Sequence, residues 1–167
     1  MTETMDRFAA QCRTILKEDS GPKGREKVKS LLEDLLNKGD LAELHLGPDN
    51  KSPRTLLYQD PDLGFCILAH AHDEAKDSDP HDHGPSWAIY GQAAGTTEMI
   101  DWRKVQEPKD GQPGRCEEVR RYALTPGTAY VYNEGDLHSP KRSGPTRLIR
   151  LEGMNMETVK RDKYLPA

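Results

Sequence analysis

Two histidines separated by a single residue form the clearest chemical signal in this sequence. They stand in the segment PHDHG at residues 80–84, and four of the chain's six histidines lie between His70 and His83. Because residues two apart on a β-strand point to the same face, His81 and His83 can present both imidazoles to one ion. Neutral nitrogen ligands suit iron, zinc, nickel or copper better than magnesium or calcium. The pair therefore indicates a transition-metal site, with a solvated loop as the alternative.

A later stretch supplies a third histidine. His138 follows the tight-turn sequence Gly135-Asp136, and a sheet that closes on itself can bring its imidazole beside the first two. Three ligands on one side of an ion leave open positions for other ligands. The alternative is that His138 only ends a strand and forms a local hydrogen bond.

The spacing around these histidines resembles the two signature motifs of the cupin superfamily, whose members are small double-stranded β-helix barrels. The first motif, HxH followed by Glu and Gly, corresponds here to His81, His83, Ala88 and Gly95, and the second to Gly127, Asn133, Gly135 and His138. Two motifs in register are a stronger signal than either alone. The resemblance implies a mainly β fold, a cupin double-stranded β-helix or jelly-roll-like barrel with an N-terminal α-helical segment. It also implies one divalent metal ion bound by the three histidines.

The main departure from the cupin pattern concerns the fourth ligand. Ala88 stands where many cupins have a glutamate, so three neutral imidazoles would hold an ion that keeps its full charge and favours anions such as a thiolate, a carboxylate or an enolate. Loss of this glutamate is a mark of the thiol dioxygenases, including cysteine dioxygenase and 3-mercaptopropionate dioxygenase, and the segment HDHGPSWAIYGQAAG at residues 81–95 resembles theirs. The resemblance implies Fe(II), with Zn, Ni or Mn left open, and an oxidoreductase that adds O2 to a small thiol carboxylate.

Two arginines and a tyrosine are the candidate catalytic residues. Arg54 lies near the position of the arginine that pairs with the substrate carboxylate in cysteine dioxygenase, although a solvated loop arginine is the alternative. Arg150 would place a cation near the metal if its strand face looks into the barrel, with Glu152 as its partner; an outward-facing ion pair is the alternative. A planar guanidinium is the natural bidentate partner of a carboxylate. Tyr90 could offer its hydroxyl to the same pocket or pack in the core.

One feature of the thiol dioxygenases is missing. They carry a Ser-x-His-x-Tyr relay on a late strand, and the matching stretch at residues 148–152 reads LIRLE. Cysteine is therefore doubtful as the substrate, and two other functions stay open. One is a metal cupin that acts as an isomerase, a hydrolase or a carbon–carbon cleaving enzyme, with the ion as a Lewis acid. The other is a module that binds or senses a small acid without catalysis. His70 and His72 fit neither motif, so we expect them to be surface or packing residues.

The elements that must position these residues change in type along the chain. Apolar residues recur at helical spacing over residues 5–16 and 28–36, and breakers follow each run, which predicts two helices. Strand-like runs then occupy residues 64–72, 87–92, 117–124, 128–133 and 146–151, with a polar surface excursion at 107–114. We therefore predict one structural domain in which a helical segment, residues 1–46, packs on a barrel formed by residues 47–167.

Composition limits the function classes further. The chain has 167 residues, of which 34% are hydrophobic, and a net charge of −4, so it suits a single domain without a membrane span or a positive field for nucleic acid. The N-terminus lacks the pattern of a signal peptide and Cys12, Cys66 and Cys116 lack the pattern of a disulfide framework, which predicts a cytoplasmic protein with reduced thiols. The expected partners are a small acid or thiol substrate and O2, with no nucleic acid and no membrane, and a homodimer is left open.

Overall fold

A computed structural model describes all 167 residues and shows two helices followed by ten strands. The helices are α1 (Glu3–Glu18) and α2 (Pro22–Lys38). The first five strands are β1 (Thr55–Gln59), β2 (Cys66–His72), β3 (Lys76–Asp77), β4 (Ala88–Ala94) and β5 (Thr97–Gln106). The remaining five are β6 (Gly114–Leu124), β7 (Ala129–Tyr132), β8 (Leu137–Arg142), β9 (Thr146–Glu152) and β10 (Tyr164–Pro166).

The strands form two five-stranded sheets. The first has the order β1-β2-β9-β4-β7, and the second has the order β10-β6-β5-β8-β3. All neighbours are antiparallel except β10 and β6, which run parallel. Strands that are distant in sequence, such as β2 and β9, are neighbours in space, which is the connectivity of a double-stranded β-helix. The predicted mainly β barrel with an N-terminal helical segment is confirmed.

The two helices cover the outer face of the first sheet. Their apolar residues and the outward side chains of the sheet form the largest hydrophobic cluster of the protein. Helix α2 approaches β4 closely, since a methyl group at Gly91 would lie 2.6 Å from Cδ2 of Leu32. Glycine at this position therefore allows the helix to sit directly on the strand. With the outer face covered by helices, the inner face of the same sheet is left to form the site.

The sequence prediction found five of the ten strands. The strands that it missed are β1, β3, β5, β8 and β10. The C-terminal half of β5 is exposed and charged, and β8 contains Pro140 and ends in two basic residues. Neither strand therefore shows a run of apolar residues. The excursion at residues 107–114 does lie between two strands, β5 and β6. Neither helix is long and apolar enough to cross a membrane.

Removal of one buried leucine tests the packing of the helices on the barrel. Leu32 is fully buried between α2 and the first sheet, so Leu32→Ala should lower the free energy of unfolding by roughly 2–5 kcal/mol in urea titrations. The control is Leu56→Ala, because Leu56 is 41% exposed and its loss should cost less than about 1 kcal/mol. Equal effects of the two substitutions would contradict this packing.

Candidate metal centre

The segment that carries the first two histidines is attached to the strand that carries the third. The amide of His81 donates to the carbonyl of His138 at 2.9 Å, and the amide of His138 donates back at 2.9 Å. This single bridge replaces the regular strand that the sequence predicts for residues 81–83. His83 instead begins a turn, since the amide of Ser86 donates to its carbonyl at 3.0 Å. The two imidazoles still converge, but a turn rather than strand alternation brings them together.

Backbone carbonyls fix the tautomers of two of the three rings. Nδ1 of His81 lies 3.0 Å from the carbonyl oxygen of Asp79, and Nδ1 of His138 lies 2.9 Å from that of Asp136. A carbonyl oxygen only accepts, so each Nδ1 carries the proton and each Nε2 keeps a free lone pair. In His83, Nδ1 lies 3.6 Å from Oε1 of Glu152, and Nε2 turns towards the other rings.

The spacing of these nitrogens fits one transition-metal ion. The ligand atoms of His81, His83 and His138 all lie within 4.8 Å of one another, and the Nε2 atoms of His83 and His138 are 3.2 Å apart. Two nitrogens that bind one ion at about 2.1 Å are separated by about 3.0 Å in octahedral geometry and about 3.4 Å in tetrahedral geometry. The separation of 3.2 Å lies between these two values, and the three rings therefore suit a divalent metal.

Burial keeps the three rings neutral, as ligands must be. His138 is completely buried and His83 is 2% exposed, whereas His81 is partly exposed. Burial lowers the pKa of His81 to about 4 and holds the pKa values of His83 and His138 well below the ordinary histidine value. The rings are therefore uncharged at neutral pH, and none of them has to release a proton before it binds a cation.

Two tyrosines surround the convergent nitrogens. The Tyr90 hydroxyl lies 2.8 Å from Nε2 of His83 and 3.2 Å from Nε2 of His138. Tyr132 stacks on the His138 ring with centroids 3.9 Å apart. Burial raises the pKa of Tyr90, so its phenol keeps its proton and acts as a hydrogen-bond donor at the centre. The structure thus places Tyr90 in the site rather than in a purely apolar core.

Arg150 lies inside the barrel beside Tyr90. Its guanidinium carbon is 4.3 Å from the centroid of the Tyr90 ring, and Nη1 is 3.5 Å from Oε1 of Glu152. Ala88 is paired with Glu152 in the neighbouring strand, so the buried carboxylate is one strand away from the position where many cupins carry their glutamate. It faces Nδ1 of His83 rather than the three Nε2 atoms. Glu152 therefore lies outside the cluster of ligand nitrogens and leaves the ligand set neutral.

A cavity of about 970 Å³ extends from His81 along the barrel. His70 and His72 line it together with Arg150, whereas the sequence predicted surface or packing roles for these two histidines and did not predict a cavity beside them. Their strand, β2, is buried on both faces, and its sequence could not show which face looks inward. Arg54 does not line the cavity. Its guanidinium instead contacts Asn155 at 3.0 Å and Glu157 at 3.7 Å.

Comparisons with known proteins find only distant structural likenesses. Neither a protein-family model nor a curated protein sequence matches this chain. Among solved structures, KdgF from Halomonas sp. is 18% identical over 59% of this chain and 74% of its own, with a TM-score of 0.44. A cupin-2 domain protein from Shewanella frigidimarina is 13% identical over 71% of this chain and 95% of its own, with a TM-score of 0.45. DMSP lyase DddQ from Ruegeria pomeroyi is 17% identical over 68% of this chain and 53% of its own, with a TM-score of 0.47. Such identities carry no information about substrate or reaction.

Substitution of one ring tests the centre directly. Wild-type protein should bind about one Zn(II) per chain, and His138→Gln should weaken binding by more than about 100-fold in calorimetric titrations, because a lost ligand costs more than a lost supporting group. His72→Gln is the control, since His72 lies in the cavity but outside the trio. Circular dichroism checks that both variants fold. Wild-type affinity in His138→Gln would exclude this centre.

Proposed function

We propose that this protein is a metal-dependent oxidoreductase that adds O2 to a small thiol carboxylate. The observation that carries the proposal is the convergence of three neutral imidazoles, without a carboxylate among them, beside a cavity that His81 lines and that contains the partly buried guanidinium of Arg150. Fe(II) is the proposed ion, and Zn, Ni and Mn suit the same donors. When bound, iron supplies open coordination positions at which a thiolate and O2 can react.

The charges of the site favour an anionic substrate. The three imidazoles carry no charge, so they leave the full positive charge of a divalent ion to attract a thiolate. Arg150 is 20% exposed in its side chain, and its nearest acidic partner, Glu152, is 3.5 Å away. A contact of this length leaves guanidinium donors free. The Arg150 guanidinium would therefore bind the substrate carboxylate in two parallel hydrogen bonds.

Tyr90 would position the reacting end of the substrate. Its hydroxyl is a protonated donor within 3.2 Å of two of the Nε2 atoms, so it can donate a hydrogen bond to an atom held there. Arg150 stacks on the ring of the same tyrosine, which couples the position of the carboxylate to that of the hydroxyl. The pair would orient the acid group and the reacting group of one small molecule together.

A second function is favoured by one observation. The strand that carries the Ser-x-His-x-Tyr relay in thiol dioxygenases carries Arg150 here, and no relay residue replaces what is lost. A Tyr90 phenol beside a Lewis-acidic ion could instead donate a proton to an enolate or an alkoxide. Such a protein would be a non-oxidative metal cupin, either an isomerase, a hydrolase or a carbon–carbon cleaving enzyme.

Oxygen consumption separates the two functions. We expect Fe(II)-loaded protein to consume O2 in an oxygen electrode when 3-mercaptopropionate is added and not when propionate replaces it, with a sulfinate as the product in mass spectra. His138→Gln should abolish the signal. No O2 uptake with any of a panel of small thiol acids, from protein that has bound one Fe(II) per chain, would contradict the dioxygenase and leave the non-oxidative function.

The two candidate arginines can be distinguished in the same assay. Arg150→Gln should raise the KM for the thiol acid by roughly 10- to 100-fold, because a hydrogen bond to a charged group contributes about 1.5–3 kcal/mol. Arg54→Gln should leave KM within about twofold, since Arg54 contacts Asn155 and Glu157 outside the cavity. An unchanged KM in Arg150→Gln, or a raised KM in Arg54→Gln, would overturn the assignment of Arg150 as the anchor.

A further inference from the structure

The cavity beside the three histidines is richer in cations than one carboxylate requires. Five basic side chains line it, against three acidic ones. The basic residues are Lys76, Arg142, Arg150, Arg161 and Lys163. Of these, only Arg150 has an acidic partner within 4 Å. The surplus positive charge faces a space of about 970 Å³, and that space can admit a ligand larger than one acid group.

Arg142 is a partly buried cation in this cavity whose charge no acidic side chain balances. It is partly buried at the end of β8, forms no ion pair, and its Nε is buried without a hydrogen-bond partner. Burial, and then the positive charge of Arg150, lowers its pKa. A guanidinium that is partly desolvated beside a second one is costly. A bound anion would offset that cost.

The position of Arg142 relates it to the metal centre. His138 and Arg142 lie on the same strand, β8, four residues apart, so their side chains point to the same face with about 13 Å between their backbone positions. His72 lines the same cavity from the opposite sheet, and burial and then the charge of Arg142 lower its pKa to about 4. His70 is 4% exposed, and its Nε2 is buried without a partner. Unsatisfied polar groups therefore continue along the cavity beyond Arg150.

We infer that the substrate carries two acidic groups, the first bound by Arg150 near the three histidines and the second bound by Arg142 on β8, in the same cavity. This inference rests on the proposed function for the role of Arg150 but adds a requirement that a simple thiol monocarboxylate does not meet. The second group accepts hydrogen bonds from a guanidinium, which a carboxylate and a phosphonate both do. A compound with one acid group would leave Arg142 unpaired.

Binding of simple acids tests the inference without catalysis. The full-length chain, metal-free and in parallel loaded with Zn(II), is titrated calorimetrically with succinate, glutarate and adipate and with the monoacids butyrate, pentanoate and hexanoate. We expect at least one diacid to bind about tenfold or more tightly than the monoacid of equal length. A parallel titration with 3-phosphonopropionate in place of succinate shows whether a phosphonate or a carboxylate binds better as the second acidic group. Equal affinity for diacids and monoacids would overturn the inference.

Two substitutions separate a defined subsite from a general positive field. Arg142→Gln should reduce the preference for the diacid to within about twofold, while monoacid binding stays near the wild-type value. Lys163→Gln removes the same charge from an exposed position on the same cavity and should keep most of the preference. Arg142→Lys keeps the charge and should restore part of the preference for the diacid. This recovery would show that misfolding does not cause the loss of preference in Arg142→Gln. An equal loss in Lys163→Gln and Arg142→Gln would overturn the subsite.

The outcomes distinguish this inference from the proposed function. Failure of O2 uptake with retained diacid preference would remove the dioxygenase and leave the diacid subsite. Oxidation of a thiol monoacid without diacid preference would support the dioxygenase and remove the diacid subsite.

Discussion

The Nε2 atoms of His83 and His138 lie 3.2 Å apart at the centre of this barrel, and the surrounding structure keeps them there. Carbonyl groups at Asp79 and Asp136 hold the protons on the opposite nitrogens of two rings. The paired backbone hydrogen bonds between His81 and His138 join the segment that carries two rings to the strand that carries the third. A divalent cation bound by all three rings would use these nitrogens together, which is why we place the metal at the basis of the function.

The charge of the site depends on the position of its carboxylate, which is at residue 152 and not at residue 88. Alanine at residue 88 removes the usual carboxylate ligand, and Glu152 on the adjacent strand brings a carboxylate to Nδ1 of His83 and to Arg150. The acid therefore lies beside a ring and an arginine and outside the three-histidine cluster. An ion bound by the three histidines would keep its positive charge, and with the basic residues of the cavity it would favour anionic ligands.

The sequence predicts the parts of this protein that depend on local patterns. The helical spacing of apolar residues predicted α1 and α2. The spacing of the two motifs predicted that three histidines distant in sequence lie close together. Orientation was harder, because β2 is buried on both faces and its composition could not show that His70 and His72 point inward. Strand β8 was missed because Pro140 and its basic residues are rare in strands, although it carries both His138 and Arg142. The place of Glu152 depended on strand pairing, which no single strand reveals.

The most direct test of the central claim is a crystal structure of the metal-loaded protein with data collected at the absorption edge of the metal. We predict one anomalous peak per chain, within about 2.3 Å of the Nε2 atoms of His81, His83 and His138, with no carboxylate oxygen in the coordination sphere. A peak elsewhere, or one in which the Glu152 carboxylate replaces a histidine as ligand, would contradict the account.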